Sequence, residues 1–254
     1  IVTRMAKPDL RQSFTVEAHV GMTADEVFSA CVPAIFKLYA YDYKNNILGI
    51  GSGVVLSARG DAVTCGHLVN GVYRLVAEMY DGTKREVTIY SFDADADIAH
   101  IRVVGSTLPY LGVTTEVEEG DTVYALGNPL GLGLAMSRGI VSSTTHEADL
   151  STLPCIVSDA TISRGSSGGA LLNEYGRAVA VTTGAYVYGN NMYLCVPLDP
   201  VLEADLTGEG MTLQEVLDAV TAAREAAAAL FGCPRADHVV FTANATQALN
   251  TALY

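Results

Sequence analysis

The sequence Gly-Ser-Ser-Gly-Gly at residues 165–169 places two serines between glycines, just before an apolar run typical of a strand. A serine hydroxyl becomes a nucleophile only when a base removes its proton and amides receive the oxyanion that forms. Glycines let the backbone turn sharply and direct N–H groups into a small cavity. The pattern therefore predicts nucleophilic catalysis by Ser166 or Ser167, if the fold also supplies a histidine and a carboxylate.

A histidine and three carboxylates precede these serines. His67 follows a short β-rich run, and Asp93, Asp95 and Asp97 alternate in a loop before another apolar strand. In an extended chain the three carboxylates point the same way, so their spacing does not choose among them. The order histidine, aspartate, serine is that of the chymotrypsin type of triad, and it differs from the orders in subtilisin and the α/β-hydrolases.

Short β-rich runs separated by turns must position these side chains. The first group is Ile35–Tyr41, Ile50–Leu56, Val72–Met79, Glu86–Ser91 and Ile98–Val104, and the second is Thr122–Leu126, Gly139–Ser142, Ile156–Asp159, Ala170–Leu172, Ala178–Thr183 and Met192–Val196. Asp81-Gly82 between two alternating runs predicts a hairpin. Thr23–Phe28 predicts a short helix, with Thr23 as N-cap and Glu26 completing a capping box. The grouping predicts two β-barrels with the site at their seam.

A series of motifs runs in order from about Phe28 to Leu206. They are Gly51–Ser57 with Gly60-Asp61, Thr64-x-x-His67-x-Val69, Asp97-Ile98-Ala99, Gly120–Gly131, Gly139–Ser142, Asp159-Ala160, Gly165–Gly169 and Val196–Asp199. In order and spacing they resemble the trypsin-like serine proteases of the HtrA branch. The resemblance implies a mainly β fold of two six-stranded antiparallel barrels of the chymotrypsin type.

The resemblance also implies a role for each candidate residue. Its Gly-x-Ser-Gly-Gly pattern selects Ser167 as the nucleophile, and its Asp-Ile-Ala pattern selects Asp97 as the carboxylate that orients His67. The backbone amides of Gly165 and Ser167 would then bind the oxyanion. The walls that receive the substrate would include Arg164, Thr183, Gly184 and Ala185.

The implied function is a serine endopeptidase that acts on polypeptides through an acyl-enzyme intermediate, without a cofactor or metal. An alternative is a catalytically silent protease fold that serves as a binding or regulatory module. It arises because Arg164-Gly165-Ser166 stands where relatives usually carry Pro-Gly-Asn before the nucleophile. The resemblance alone implies an extracytoplasmic location, and it allows a homo-oligomer.

The same motifs divide the chain into an N-terminal segment of residues 1–27, a protease domain of residues 28–207 and an appendage of residues 208–254. In the appendage, a capping box at Thr212–Glu215 precedes an Ala-rich helix that ends before Gly232. A strand and the start of another helix follow. We expect a helix–strand–helix appendage without a function of its own.

Residues 212–254 resemble the N-terminal fragment of class V aminotransferases and cysteine desulfurases. In those enzymes the positions of Ala245 and Thr246 cradle the phosphate of pyridoxal phosphate at a helix N-terminus. The last lysine in this sequence is Lys84, so the appendage has no residue that could form the Schiff base. A working pyridoxal enzyme is therefore excluded, and we expect no functional cofactor site.

Composition bears on several other classes of protein and site. The chain is 50% hydrophobic and 17% charged, which suits a packed globular fold. A formal charge of −13 argues against a nucleic-acid partner, because phosphate binding needs clustered Lys and Arg. No apolar run reaches the roughly 18 residues of a membrane span. Five cysteines without metal-like spacing predict buried free thiols rather than disulfides or a metal site.

Overall fold

The computed structural model describes residues 21–105, 107–149, 151–185 and 191–198, together with the single positions 226, 228 and 229. The predicted appendage of residues 208–254, with its resemblance to aminotransferases, lies outside this part of the chain apart from those three positions. Most of the predicted N-terminal segment, residues 1–20, also lies outside it.

The first β-barrel contains six antiparallel strands. They are β1 (Ile35–Tyr41), β2 (Ile47–Val55), β3 (Asp61–Thr64), β4 (Arg74–Glu78), β5 (Lys84–Asp93) and β6 (Ile98–Val103). The sheet closes in the order β1-β2-β3-β6-β5-β4. The predicted hairpin joins β4 to β5, where Gly82 takes a φ of 82° and its amide donates to the Met79 carbonyl oxygen at 2.9 Å. A positive φ is the reason that this turn needs glycine.

The second barrel repeats this architecture. Its strands are β7 (Thr122–Gly127), β8 (Ala135–Ala148), β9 (Ser151–Ser158), β10 (Ala170–Asn173), β11 (Ala178–Ala185) and β12 (Tyr193–Pro197). They close in the order β10-β11-β12-β9-β8-β7. The prediction of two six-stranded antiparallel barrels is confirmed. Strand β8 is much longer than the predicted Gly139–Ser142. The prediction was too short because most of the strand is polar and at least partly exposed, so it lacks an apolar pattern.

A short helix, α1 (Ala24–Cys31), precedes the first barrel, as predicted. Thr23 caps it: its hydroxyl accepts from the Glu26 amide at 3.3 Å, and the Glu26 carboxylate accepts from the Thr23 amide at 2.8 Å. The helix continues past the predicted end at Phe28 because Val27 and Cys31 are buried against the barrels. The predicted boundary after residue 27 therefore falls inside a helix that packs into the core.

The largest apolar cluster joins the two barrels. It contains Val54 and Ile98 from the first barrel, Leu126 and Leu172 from the second, and Val27 from α1, all at most 3% exposed. Burial of apolar surface contributes about 25 cal/mol per Å². The two barrels therefore share an apolar cluster at their seam, and residues there are held by packing from both sides.

The cysteines in the described part, Cys31, Cys65, Cys155 and Cys195, are free and buried, as expected. Cys233 lies outside it. Among the described residues, none of the helices has the length and apolarity that crossing a membrane demands.

His100 on β6 is a buried titratable group outside the cavity described below. It is 4% exposed, and neither ring nitrogen has a hydrogen-bond partner among the described residues. The Tyr90 ring on β5 packs edge-on against it at 5.2 Å between centroids. Burial lowers the pKa of His100, while Asp61 on β3 raises it and Arg102 lowers it further.

We therefore expect His100 to make the fold sensitive to acid. The unfolded chain takes up a proton at a pKa of about 6.5, whereas the folded chain does so only at lower pH. Its contribution is complete above about pH 6.5 and is lost as the pH falls toward the folded pKa, with a slope of at most about 1.4 kcal/mol per pH unit. Urea unfolding at pH 7.5 and 5.0 should show a smaller pH dependence for H100L than for wild type. Equal pH dependence in the two proteins would contradict the prediction.

Candidate active site

His67 lies on a 3₁₀ turn, Gly66–Leu68, that follows β3. Its Nδ1 atom is 2.9 Å from Oδ1 and 3.0 Å from Oδ2 of Asp97. The backbone amide of His67 also donates to Oδ1 at 2.9 Å. The His67 side chain is 50% exposed, so its remaining ring nitrogen is accessible from the solvent side of the site.

Asp97 lies directly before β6 and has a φ of 53°. This left-handed conformation is uncommon for residues other than glycine, but Asp and Asn tolerate it best. The Thr183 hydroxyl donates a short hydrogen bond to Oδ2. Burial raises the pKa of Asp97, but the hydrogen bonds from His67 and Thr183 outweigh burial and hold the pKa below its usual value.

An ionised Asp97 determines which ring nitrogen of His67 carries the proton. A carboxylate is only an acceptor, so Nδ1 must be the donor. In a neutral imidazole the other nitrogen, Nε2, is then an acceptor. His67 is thereby prepared to accept a proton on its exposed side.

The other two carboxylates of the alternating run do not contact His67. Asp93 Oδ1 accepts from the backbone amides of Asp95 and Ala96 at 2.8 and 2.9 Å. The Asp95 carbonyl oxygen accepts from the Thr152 amide at 2.7 Å, and its side chain is exposed. Both residues shape the loop that holds Asp97 in its left-handed conformation.

Ser167 lies in the loop between β9 and β10 and faces the same cavity as His67. Its hydroxyl donates to the Thr183 carbonyl oxygen at 3.0 Å. Within the described part of the chain it makes no hydrogen bond to His67. The fold thus brings His67 and Ser167 to one cavity, and the buried Asp97 is in direct contact with His67.

The backbone around Ser167 offers free donors. Gly165 and Gly168 have φ values of 95° and 86°, which place the loop in the left-handed region. The amides of Ser166 and Gly168 are used, by the carbonyl oxygens of Ser163 and Thr182. The amides of Gly165 and Ser167 have no acceptor among the described residues, so both remain available for an anionic oxygen.

Ser52 on β2 connects this loop to the first barrel, a role that sequence reasoning missed. Its hydroxyl donates to the Gly165 carbonyl oxygen and accepts from the Asn128 amide, each at 2.9 Å. Its backbone amide donates to the Ser167 carbonyl oxygen at 2.8 Å. Ser52 is 0% exposed, and the signal for it was the Gly51-Ser52-Gly53 motif.

Gly165 is required both by its φ and by its surroundings. A Cβ at this position would lie 2.5 Å from the Asn128 carbonyl oxygen. We expect G165A to displace the loop and its free amide, and to lower kcat by about 10²–10³, the effect of losing one oxyanion donor. Peptide hydrolysis should be measured beside G120A, where the φ is also 95° but a Cβ meets nothing within 4 Å. Retention of wild-type kcat by G165A would contradict a role for this amide.

A cavity of about 580 Å³ opens beside these groups. Each of the predicted substrate-binding residues, Arg164, Thr183, Gly184 and Ala185, lines it. Its apolar lining, which sequence reasoning missed, consists of Leu48, Ile50, Leu68 and Ile162. The cavity can therefore receive an apolar side chain next to the Ser167 hydroxyl.

Cys65, His67 and Asp97 offer ligand atoms within 4.8 Å of one another, which is the geometry of a small metal site. Each of these atoms already has a hydrogen-bond partner: Cys65 Sγ donates to the Thr182 carbonyl oxygen at 3.3 Å, and the other two pair with each other. Burial raises the pKa of the Cys65 thiol, which disfavours the thiolate that binds metals. The arrangement favours a hydrogen-bonded cluster over a metal centre.

Comparison with known proteins agrees with this geometry. The family model described as "Trypsin-like peptidase domain" matches residues 51–181. The chain is 29% identical over 182 residues to the serine endoprotease DegS of Haemophilus influenzae, a match over 63% of this chain and 53% of that protein. It is 33% identical over 141 residues to the periplasmic pH-dependent serine endoprotease DegQ of Escherichia coli, over 53% of this chain and 31% of that protein.

A solved structure of the HtrA-type protease AlgW with a tripeptide superposes with a TM-score of 0.69 and 26% identity, over 74% of this chain and 65% of that one. The chain therefore spans less than two thirds of the length of each of these relatives.

Proposed function

Because this chain belongs to the trypsin-like peptidase family, we propose that it is a serine endopeptidase in which Ser167, His67 and Asp97 form the catalytic triad. The observation that carries the proposal is the contact of 2.9 Å between His67 Nδ1 and Asp97, at the edge of the cavity that Ser167 lines. A buried, ionised carboxylate stabilises the imidazolium that forms when His67 accepts a proton.

In the proposed reaction, Ser167 Oγ attacks the carbonyl carbon of a peptide bond while its proton passes to His67 Nε2. The carbonyl oxygen becomes an oxyanion and receives hydrogen bonds from the amides of Gly165 and Ser167. The C–N bond then breaks, and His67 gives its proton to the leaving amine. An ester on Ser167 remains. Water attacks this ester with His67 as the base, which releases the carboxylic acid and restores the serine hydroxyl.

One contact favours a second candidate function. In the resting site the Ser167 hydroxyl donates to the Thr183 carbonyl oxygen, so this hydrogen bond must break before the hydroxyl can donate to His67. If substrate does not induce that exchange, the protein is a catalytically silent module that binds polypeptides in the same cavity. Intact partners for His67 and free amides at Gly165 and Ser167 support the enzyme over the silent module.

The proposed substrate is a polypeptide with an apolar side chain at the cleaved position, because Ile162 and Ala185 line the same cavity as Ser167. An extracytoplasmic location is proposed because DegQ is named as a periplasmic endoprotease. Assembly into a homo-oligomer stays a prediction of the family resemblance.

Labelling with a fluorophosphonate tests the proposal. The reagent bonds to an activated serine and loses fluoride, so the adduct can be located by mass spectrometry of the peptide that contains residues 165–169. We expect the adduct on Ser167, together with hydrolysis of an unfolded protein such as casein. Binding of casein without adduct or hydrolysis would instead identify the silent module.

A further inference from the structure

Arg164 lines the cavity, and no carboxylate in the described part of the chain forms an ion pair with it. Of the described residues that line the cavity, it is the one with a permanent charge, and its side chain is exposed. Two other arginines have carboxylate partners, Arg59 with Asp61 and Arg74 with Glu86, but neither of these lines the cavity. Arg164 forms no ion pair with any residue in the described ranges.

The backbone of Arg164 is held firmly although its side chain is free. Its carbonyl oxygen accepts from the Leu130 amide at 2.6 Å. The next residue, Gly165, is fixed through its own carbonyl oxygen by Ser52. The guanidinium therefore extends from a rigid base that directly precedes one of the free amides.

The net negative charge of the chain restricts how an acidic ligand can be bound near Arg164. With 28 Asp and Glu against 15 Lys and Arg, the protein repels acidic ligands at long range. A carboxylate held at the cavity must therefore be recognised locally. A guanidinium is always protonated and binds a carboxylate through two parallel hydrogen bonds.

We propose that Arg164 makes the enzyme selective for substrates that carry a carboxylate close to the scissile bond. The inference rests on the proposed function and specifies its substrate class: an apolar side chain in the cavity with an acidic group beside it. An extended peptide advances about 3.3–3.6 Å per residue, so an arginine side chain reaches a group one or two residues from the bond. The carboxylate is that of a Glu or Asp side chain, or that of the substrate's own C-terminus.

A matched set of fluorogenic peptides tests this assignment. All carry the same apolar residue at the cleaved position, and Glu or Gln is placed in turn at the two positions on each side. A second arm holds Gln at these positions and compares a free C-terminal carboxylate with a C-terminal amide, two residues after the bond. The enzymes are wild type, R164Q, R164K and R177Q, the last removing an exposed positive charge that does not line the cavity.

We expect wild type to hydrolyse the best Glu peptide with a kcat/KM about tenfold above that of its Gln partner, at the lower end of the range for charge-assisted hydrogen bonds. The ratio should approach one in R164Q, take an intermediate value in R164K and stay at the wild-type value in R177Q. It should also fall with added salt, because an exposed ion pair is screened. A preference in the Glu and Gln peptides identifies a side-chain carboxylate, and a preference in the second arm identifies the C-terminal carboxylate of the substrate.

A ratio of one in wild type in both arms, or an undiminished ratio in R164Q, would overturn the inference. Failure of the proposed function gives a different result, namely no hydrolysis of any peptide by wild type. In that case the anisotropy of labelled peptides on the S167A protein measures their Kd values directly. A Glu preference that disappears in S167A/R164Q would support recognition by Arg164, and equal Kd values would refute it.

Discussion

Replacement of Ser167 with alanine is expected to slow peptide hydrolysis by about 10⁶-fold, the effect of removing the nucleophile from a triad. The variant keeps the backbone of the loop, because the contact from the Ser52 amide involves the Ser167 carbonyl oxygen. The free amides are therefore retained and peptide binding should change little. The measurement is kcat/KM with a fluorogenic peptide, accompanied by a urea midpoint to verify that the fold is intact.

The adjacent serine provides a matched control. Ser166 is buried, and its contacts to Thr182 and Gly169 are made by its backbone carbonyl oxygen. S166A removes the same hydroxyl group one residue away, so hydrolysis and fluorophosphonate labelling should persist. Loss of both activities in S166A together with their retention in S167A would show that the other serine is the nucleophile.

Replacement of Asp97 with asparagine is expected to lower kcat by about 10⁴-fold without loss of the fold. Asparagine tolerates the φ of 53° at this position. Its amide group, however, can donate a hydrogen bond to His67 Nδ1, which places the imidazole proton on Nε2. A protonated Nε2 is unable to accept the Ser167 proton, so the base is lost although its position is unchanged.

The control for this variant is D95N, which removes the same charge from an exposed residue in the same loop. It should retain kcat within about a factor of two, the scale of a surface substitution of up to 0.5 kcal/mol. The pH dependence of kcat should be recorded for all three proteins. A D97N enzyme that keeps more than a tenth of wild-type kcat would show that Asp97 does not determine the tautomer of His67.

The strands and the candidate residues were predictable for different reasons. β1 is apolar and alternates against a partly exposed face, so its bounds at Ile35 and Tyr41 follow from periodicity alone. Asp97 could not be separated from Asp93 and Asp95 by spacing, and only the resemblance to a known motif selected it. The fold gives the physical reason. The Asp93 carboxylate accepts hydrogen bonds from nearby backbone amides, whereas the left-handed conformation of Asp97 turns its carboxylate inward.

Contacts between elements distant in sequence could not be predicted. The Thr183 hydroxyl meets Asp97 across 86 residues of sequence, and the Ser52 hydroxyl meets Gly165 across 113. Neither residue type signals such a partner by itself, because Ser and Thr serve equally as caps and turn residues. The resting contact of Ser167 with the Thr183 carbonyl oxygen also depends on a side-chain rotamer, which no sequence motif encodes.

The hydroxyl of Ser52 bonds across the seam between the two barrels, where the proposed catalytic groups of the two halves meet. The proposed base and nucleophile belong to different halves, so a slip of one half against the other by about 1 Å separates them while every strand stays paired. Mild heat or denaturant should therefore abolish peptide hydrolysis well before the strands unfold. We therefore expect partial unfolding to yield first an inert form rather than an enzyme with relaxed selectivity.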